Sequence, residues 1–395
     1  MSSLLAGKQF KDNILAKVYI NNIAAFLPNN PVSNDDMEAV LGQIGERPSR
    51  VRRIILRRNK IKSRYYAIDP ATGMKTHNNA ELTAEAIRRL GAQGCNLNEM
   101  ELLVCGTSLP DQLMPNHALM VHGELKISPC EVVGTAGICL AGTMSLKYGY
   151  LSILAGESRN AVTTGSENVS SLLCRQHFTD EIESRVKQLE EHPVIAFEKD
   201  FLRWMLSDGA GAIWMSHTAN ASGISLRIDW IWQNSYANEL DPCMYAGAEK
   251  LADGSLQGWR EYAARTWLDE SIFTIKQDVK LLNEKIVEYT ITKSLQKLLA
   301  AGKFSGADID WFLPHYSSDY FRERVAAGMA EAGCPIPQEK WFTNLSTKGN
   351  TGSASIYIML EELFNSGRLR KGEKLLCFIP ESGRFSTAFM QLTVV

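Results

Sequence analysis

Residues 137–143 read GICLAGT, and a helix-like pattern runs from Thr143 to Leu154. Small residues around Cys139 allow the backbone to turn sharply and to approach a substrate closely. The N-terminus of the helix would offer unpaired N–H groups and the positive end of the helix dipole to the thiol. Both would lower the thiol pKa and favour the reactive thiolate, so Cys139 is a candidate nucleophile. The alternative is an inert Cys packed in a buried turn.

A second stretch has a related pattern, because residues 347–355 read TKGNTGSAS and also precede a helix-like pattern. Gly156 lies 17 residues after Cys139, and Gly367 lies 17 residues after Asn350. Glycine is common just beyond the C-terminus of a helix, and an apolar run follows each of these two glycines. The pattern indicates an internally duplicated fold, although two ordinary α/β units could coincide in this way.

Short apolar runs that end in turns alternate with helix-like patterns along the chain. The runs that predict buried strands are 102–107, 161–165, 311–314 and 375–380. The patterns that predict helices are 80–90, 143–154 and 286–300. Strands that alternate with helices indicate a layered α/β fold. We place its N-terminal half, with the nucleophilic Cys, at 1–218 and its C-terminal half, with His and Asn, at 219–395.

Two stretches interrupt this alternation and resemble insertions. Residues 168–199 are polar and charged, with a helical pattern at 181–191, and residues 234–267 mix aromatic residues with glycine. Each stretch could cover a cleft or simply decorate the surface.

The overall composition argues against several functional classes. The 395 residues are 45% hydrophobic and 22% charged, with a formal net charge of -2, which gives no global basis for binding nucleic acid or a membrane surface. Because no run approaches the roughly 20 apolar residues of a membrane span and the first residues lack a secretory signal, we expect a cytoplasmic protein. The eight Cys include no CxxC pair, so we expect reduced thiols and no metal site.

Three further positions could take part in chemistry beside a nucleophile. His315 follows the apolar run 311–314, at the strand end where open α/β sheets place ligand chemistry. The amide of Asn350 could donate to a developing oxyanion, although an N-cap is the commoner role of Asn at the start of a helix. Gly383, in the turn ESGRF at 381–385, could offer a backbone N–H to an oxyanion or simply form a tight turn.

Together these pieces resemble the β-ketoacyl-[acyl carrier protein] synthase III family of the thiolase superfamily. The strand–Cys–helix element, the Pro-His strand end, the Gly-Asn-Thr segment and the late Gly-x-Phe turn occur in the family's order. Residues 58–64 (RNKIKSR) and 208–212 (DGAGA) are similar to two more of its segments. The resemblance covers nearly the whole chain. It implies an α/β thiolase fold of five layers, α-β-α-β-α, with two duplicated halves, and a homodimer or closely related heterodimer.

The resemblance also implies roles for individual residues. Cys139 would carry the acyl group, and His315 and Asn350 would complete the catalytic triad. The backbone N–H groups of Cys139 and Gly383 would form the oxyanion hole, and Arg58 would lie near the mouth of the substrate tunnel. The substrates would be thioesters of coenzyme A or of acyl carrier protein phosphopantetheine, with no other cofactor. The reaction would be a Claisen condensation with a malonyl or β-ketoacyl thioester.

Several departures from the family pattern argue against acetyl-primed fatty-acid initiation: residues 316–318 (YSS) follow the Pro-His pair, Lys60 replaces a Gly, and residues 381–384 (ESGR) replace a glycine-rich turn. The long N-terminal segment and residues 201–208 (FLRWMLSD) and 380–383 (PESG) resemble a specialised branch in polyketide or fatty-acid-derived metabolism. That branch includes ketosynthases that make dialkylresorcinols and cyclohexanediones from two fatty-acid-derived chains. Ring closure would need a base; Glu381 and Glu167 are candidates, and structural carboxylates are the alternative.

Two other functions stay open from the sequence. A thiolase-fold acyltransferase to an amine or an alcohol would use the same Cys and His without forming a carbon–carbon bond. A non-catalytic partner subunit would commonly lack part of the set Cys139, His315 and Asn350.

One basic cluster could bind the phosphates of coenzyme A or an acidic carrier protein, or could form a solvated face. Its members are Arg47, Arg50, Arg52, Arg53, Arg57, Arg58, Lys60, Lys62 and Arg64.

Overall fold

The computed structural model describes residues 17–43, 52–175, 202–270 and 272–395. The strands are β1 Tyr19–Phe26, β2 Val32–Ser33, β3 Ser63–Arg64, β4 Leu102–Thr107, β5 Glu131–Ala136, β6 Asn160–Glu167, β7 Gly209–Ser216, β8 Leu226–Ser235, β9 Met244–Tyr245, β10 Ala248–Lys250, β11 Leu256–Gly258, β12 Lys276–Gln277, β13 Trp311–Pro314, β14 Lys374–Glu381 and β15 Ser386–Val394. The α-helices are α1 Met37–Leu41, α2 Arg52–Asn59, α3 Asn79–Ala92, α4 His117–Leu125, α5 Ala141–Ala155, α6 Ser170–Leu173, α7 Ala264–Asp269, α8 Val279–Val287, α9 Ser294–Ala300, α10 Arg322–Glu331, α11 Leu345–Lys348 and α12 Ser355–Asn365. A π-helix, Glu288–Lys293, joins α8 to α9.

The helix predicted at 181–191, with most of the 168–199 insertion, lies outside the described residues. Within the described ranges, no helix is both long and apolar enough to cross a membrane.

Nine of the described strands form one sheet in the order β13-β14-β15-β8-β1-β7-β6-β4-β5. On one side β4 and β6 are parallel, while β6 with β7 and β7 with β1 are antiparallel. The other side repeats this pattern, because β13 and β14 are parallel, while β14 with β15 and β15 with β8 are antiparallel. The two sets meet where β1 pairs with β8 through Tyr19 with Arg227 and Ile20 with Leu226. The strand order therefore contains the expected repeat, and the division between residues 218 and 219 stays a prediction.

Three apolar cores hold together five layers of secondary structure, and the central core contains the middle layer of helices. Helices α3 and α4 cover the outer face of the first set of strands, and α5 and α12 lie in the central core between the two sets. Helices α8, α9 and α10, with the π-helix, cover the outer face of the second set. Leu375 and Cys377 of β14 face the central core, whereas Leu376 and Phe378 face the outer one, as a strand buried on both faces requires. The predicted α-β-α-β-α arrangement is confirmed.

The two glycines whose spacing suggested a duplication have the backbone conformation expected just beyond the C-terminus of a helix. Gly156 and Gly367 have φ values of 79° and 70°, in the left-handed region that glycine adopts without a steric penalty. They follow α5 and α12, the two helices of the central layer.

The helix predicted over 286–300 is confirmed, and it contains a π-helical turn at Glu288–Lys293. The hydroxyl of Thr387 in β15 donates to the Thr290 carbonyl at 3.2 Å. A side chain that binds a helix carbonyl in this way is a recognised cause of departure from the regular α-helical ladder.

Helix α12 approaches the first set of strands very closely. The carbonyl of Ser353, just before α12, occupies the space that a Cβ at Gly142 or Gly165 would need. Tyr357 covers Gly211 in the same way, and its hydroxyl donates to the Gly142 carbonyl at 2.8 Å. Since only glycine leaves this room, three glycines allow the two halves to pack directly against each other.

We expect Gly165→Ala to lower the free energy of unfolding by about 1–3 kcal/mol, because its methyl group would overlap the Ser353 carbonyl. Gly123→Ala is the matched control, since a Cβ there meets nothing and the helix gains up to ~1 kcal/mol in propensity. Urea unfolding followed by circular dichroism measures both. Equal stability of the two variants would contradict the close packing.

Candidate active site

Cys139 lies where two cavities meet. The smaller cavity, about 40 Å³, is lined by His315 and by apolar side chains of α8, the π-helix, α10 and β14. The larger cavity, about 660 Å³, is lined by Asn350 and by a mainly apolar wall. Ser317 and Ser382, like Cys139, line both cavities. The structure thus brings the three residues of the predicted triad to one continuous region.

Aromatic side chains form part of the wall of the larger cavity. Trp259 and Phe273 line it, and Trp267 packs on both with ring centroids 5.3 Å and 5.8 Å away. The segment 234–267 therefore covers a cleft, which is one of the two roles that its sequence allowed. These aromatic residues were not predicted as site residues, although their density in an insertion was a usable signal.

The loop around Cys139 differs electrostatically from the prediction. The Glu381 carboxylate accepts the N–H groups of Ile138 at 2.9 Å and of Leu140, the N-cap of α5, at 3.2 Å. Burial, then the charge of Glu381 and then that of Glu167 raise the pKa of the Cys139 thiol well above its ordinary value. The predicted lowering of this pKa by the helix N-terminus is therefore wrong, and Cys139 rests as a thiol.

His315 follows β13 directly, as predicted, and is buried. Its backbone N–H donates to the Phe378 carbonyl at 2.8 Å, which ties the residue to the neighbouring strand β14. Burial lowers the pKa of the imidazole to about 4, so the ring is neutral near pH 7. A neutral imidazole can accept a proton from a thiol or donate an N–H to a thioester oxygen.

Asn350 does not cap the helix that follows it, because α12 begins at Ser355 with Ala354 as its N-cap. Its Oδ1 accepts the N–H of Gly352 at 3.0 Å, which orients the amide. Its Nδ2 has no hydrogen-bond partner among the described residues, and Asn350 lines the larger cavity. The helix-cap alternative is wrong, and an unpaired amide donor is what an oxyanion-binding role requires.

The two candidate bases differ in their access to the cavities. Glu167, the last residue of β6, lines the larger cavity and is 1% exposed. It accepts the Ser108 hydroxyl at 2.5 Å and the Ser353 N–H at 3.1 Å, and burial raises its pKa to about 7. Glu381 lines neither of the two cavities. Of these two carboxylates, Glu167 is the one placed to meet a substrate.

Gly383 lies in the turn between β14 and β15, close to the nucleophile loop, because a Cβ on it would meet the Ile138 side chain. Its carbonyl accepts the N–H groups of Cys243 at 2.8 Å and Met244 at 3.3 Å. The oxyanion role of the backbone N–H groups of Gly383 and Cys139 stays a prediction.

The basic cluster divides into exposed and structural members. Arg58 is exposed on α2 and lines neither cavity, so its role near the tunnel mouth stays a prediction. Arg64 is fully buried and donates to the Trp204 carbonyl and to Asn34, each at 2.6 Å. A phosphate-binding or solvated role is therefore wrong for Arg64, which is structural.

The predicted cluster members Arg47 and Arg50 lie outside the described residues. No group of three or more His, Cys, Asp and Glu side chains that could hold a metal ion occurs in the part of the chain that the structure describes.

The comparisons with known proteins agree with this geometry. The family described as 3-oxoacyl-[acyl-carrier-protein] synthase III C terminal matches residues 299–380. The β-ketoacyl-[acyl-carrier-protein] synthase III of Chlorobaculum tepidum is 24% identical over 91% of this chain and 94% of that protein. The enzyme of the same description from Neisseria meningitidis is 26% identical over 90% and 93%. The chain is therefore similar to ketosynthase III enzymes over about nine tenths of its length.

Solved structures of other proteins have the same fold as this chain. AbyA1, a tetronic acid condensing enzyme, is 20% identical, with a TM-score of 0.70 over 95% of this chain and 99% of that chain. Xanthomonas campestris OleA is 19% identical, with a TM-score of 0.68 over 96% and 100%. At these identities the likeness establishes the thiolase fold.

The titration of His315 can be measured directly. We expect its imidazole to stay neutral down to about pH 4, since burial disfavours the charged ring, whereas an exposed histidine titrates near pH ~6.5. NMR of ¹⁵N-histidine-labelled protein, with the signal assigned from His315→Ala, follows this titration. A midpoint above about pH 6 would contradict the buried, neutral imidazole.

Proposed function

We propose that this protein is a ketosynthase that holds an acyl group on Cys139 and condenses it with a second thioester in a Claisen-type reaction. The observation that carries the proposal is the position of Cys139 at the junction of two cavities, one lined by His315 and the other by Asn350. An acyl chain on the sulfur can occupy one cavity while the second thioester reaches the acyl carbon from the other.

In the first half-reaction, the sulfur of Cys139 attacks the carbonyl carbon of an acyl thioester of coenzyme A or of acyl carrier protein. Because the pKa of this thiol is raised, a base must take its proton as the bond forms, and the neutral His315 can accept it. The backbone N–H groups of Cys139 and Gly383 would bind the tetrahedral oxyanion. The intermediate then expels the coenzyme A or carrier thiolate, which takes the proton from His315.

In the second half-reaction, the other thioester becomes the carbon nucleophile. A malonyl unit loses CO2 to form an enolate, and His315 and Asn350 can donate hydrogen bonds to its oxygen. A β-ketoacyl unit loses an α-proton instead, and Glu167, with a pKa raised to about 7, can accept that proton in the larger cavity. The enolate carbon attacks the acyl carbonyl, and the sulfur of Cys139 leaves as a thiolate that is reprotonated.

We further propose that both substrates are fatty-acid-derived chains, as in ketosynthases that form dialkylresorcinols and cyclohexanediones. The larger cavity has an apolar wall that includes Leu202, Met205, Trp259 and Phe273. The solved structure of Xanthomonas campestris OleA, which has the same fold, contains lauric acid and lauroyl-CoA. Ring closure would be a second bond formation in the same cavity, with Glu167 as the candidate base.

The geometry also bears on the two alternative functions. An acyltransferase to an amine or alcohol needs no donor for an enolate oxygen, so the unpaired amide of Asn350 favours condensation. A non-catalytic subunit would not need Cys139, His315 and Asn350 around shared cavities. The homodimer and the cytoplasmic location inferred from the sequence stay predictions.

The central test is acyl transfer to the protein, followed by intact mass measurement and by product analysis. Wild-type protein incubated with an acyl-CoA is expected to gain one acyl mass, and Cys139→Ala is expected to gain none. Asn350→Ala is expected to acquire the acyl mass but to form the condensed product on the order of 10²–10³-fold more slowly, because one oxyanion donor is lost.

Cys95→Ala is the matched control, because Cys95 is also a partly buried free cysteine but lines neither cavity. It is expected to acylate at the wild-type rate. An acyl adduct on Cys139→Ala, or a wild-type protein that acylates but transfers only to amines or alcohols, would contradict the proposed condensation.

A further inference from the structure

Glu381 binds the backbone on both sides of the nucleophile. Its Oε2 accepts the N–H of Ile138 at 2.9 Å and the N–H of Leu140 at 3.2 Å. Glu381 is the last residue of β14, in the second set of strands, whereas Cys139 precedes α5, in the central layer beside the first set. The carboxylate therefore holds the nucleophile loop from the opposite half of the molecule.

Glu167, in the first half, makes the corresponding contact with the second half. It is the last residue of β6, which occupies the place in its set of strands that β14 occupies in the other. It accepts the N–H of Ser353, in the loop that carries Asn350 and precedes α12. Each half thus ends a strand with a carboxylate that binds the active-site loop of the other half, so the contact of Glu381 is one member of a repeated arrangement.

The position of Glu381 argues for an indirect role. It lines neither of the two cavities, so it is not placed to contact a substrate. The N–H groups of Ile138 and Leu140 are thereby paired, and Cys139 between them lines both cavities. Charge-assisted hydrogen bonds of this kind are roughly twice as strong as neutral ones, which suits a role in holding a loop.

We propose that Glu381 is a positioning residue for Cys139, which holds the loop of residues 138–140 in the geometry that acyl transfer requires. This deepens the proposed function, because it takes Cys139 as the acyl-carrying nucleophile. A negative charge beside a thiol also disfavours the thiolate, so the same carboxylate sets the pH at which Cys139 becomes reactive.

The charged groups around Cys139 support the proposed effect of Glu381 on the pH at which Cys139 becomes reactive. The titratable groups that face it are Glu381 from β14, Glu167 from β6 and His315 from the end of β13. Burial makes the largest contribution to the raised thiol pKa, Glu381 contributes next and Glu167 less. Because the His315 ring is neutral near pH 7, it does not offset the two carboxylates.

Two substitutions separate the effect of the Glu381 charge from the effect of the length of its side chain. Glu381→Gln keeps an oxygen at the same distance from the backbone but removes the charge. Glu381→Asp keeps the charge but withdraws it by one methylene. The readouts are the rate of Cys139 alkylation by iodoacetamide from pH 6 to about 10, followed by peptide mass, and the rate of self-acylation from an acyl-CoA, followed by intact mass.

We expect Glu381→Gln to shift the alkylation profile to lower pH, with alkylation near neutral pH roughly three- to tenfold faster, and to acylate only slightly more slowly. We expect Glu381→Asp to keep the wild-type alkylation profile and to acylate roughly tenfold more slowly, because the loop is no longer held. Glu81→Gln is the matched control, since Glu81 accepts the N–H of Asn78 at the start of α3. It should change neither readout.

Superimposable alkylation profiles of wild type and Glu381→Gln, or a wild-type acylation rate in Glu381→Asp, would overturn the proposal. If Glu381→Gln does not fold by circular dichroism, the acylation rate of Glu381→Asp alone decides. The two failures are distinguishable. A wild-type protein that accepts no acyl group refutes the condensation and, with it, the positioning of Cys139 for acyl transfer. A wild-type protein that acylates, while Glu381→Asp acylates equally fast, refutes the positioning role alone.

Discussion

The contact between the Ser353 carbonyl and the glycines of the first half is the constraint on which the active site depends. Gly142 and Gly165 leave no space for a side chain between the central helix, the first set of strands and the start of α12. Tight packing of this kind allows the two halves only one position relative to each other. Because Cys139 precedes α5 and Asn350 precedes α12, fixing these two helices also fixes the Cys139 thiol relative to the Asn350 amide.

Hydrogen bonds also connect the two halves, with one carboxylate from each half binding a loop of the other half. Glu167 reaches from the first half to the loop before α12, and Glu381 reaches from the second half to the loop before α5. Burial raises the pKa of both carboxyl groups, and the hydrogen bonds that they accept partly offset this. Burial, and then the charges of Glu381 and Glu167, raise the pKa of the Cys139 thiol. The protein therefore combines a firmly held Cys139 loop with a thiol that would need an adjacent base to react, and the neutral His315 lines the smaller of the two cavities that Cys139 lines.

Much of the fold could be predicted from local patterns, and the site could be predicted only in part. Strands such as β4 and β14 are apolar runs whose alternate residues fill two cores, and glycines such as Gly156 follow the ends of helices, so short stretches contain enough information. The protonation state of Cys139 depends on Glu381, which is distant in the sequence, and on burial, which no local pattern reports. Arg64 was grouped with surface charges for the same reason, since its partner Trp204 is supplied by another part of the chain.

The π-helix between α8 and α9 has a consequence for how this cavity can vary among related enzymes. Thr290 belongs to this wide turn and, with Ile286 just before it, lines the smaller cavity, while α8 and α9 on either side pack into the outer core. A wide turn accommodates an additional residue locally, so the helices before and after it keep their packing. Evolution can therefore lengthen or shorten this one turn and change the room available to a bound chain without rebuilding the scaffold around it.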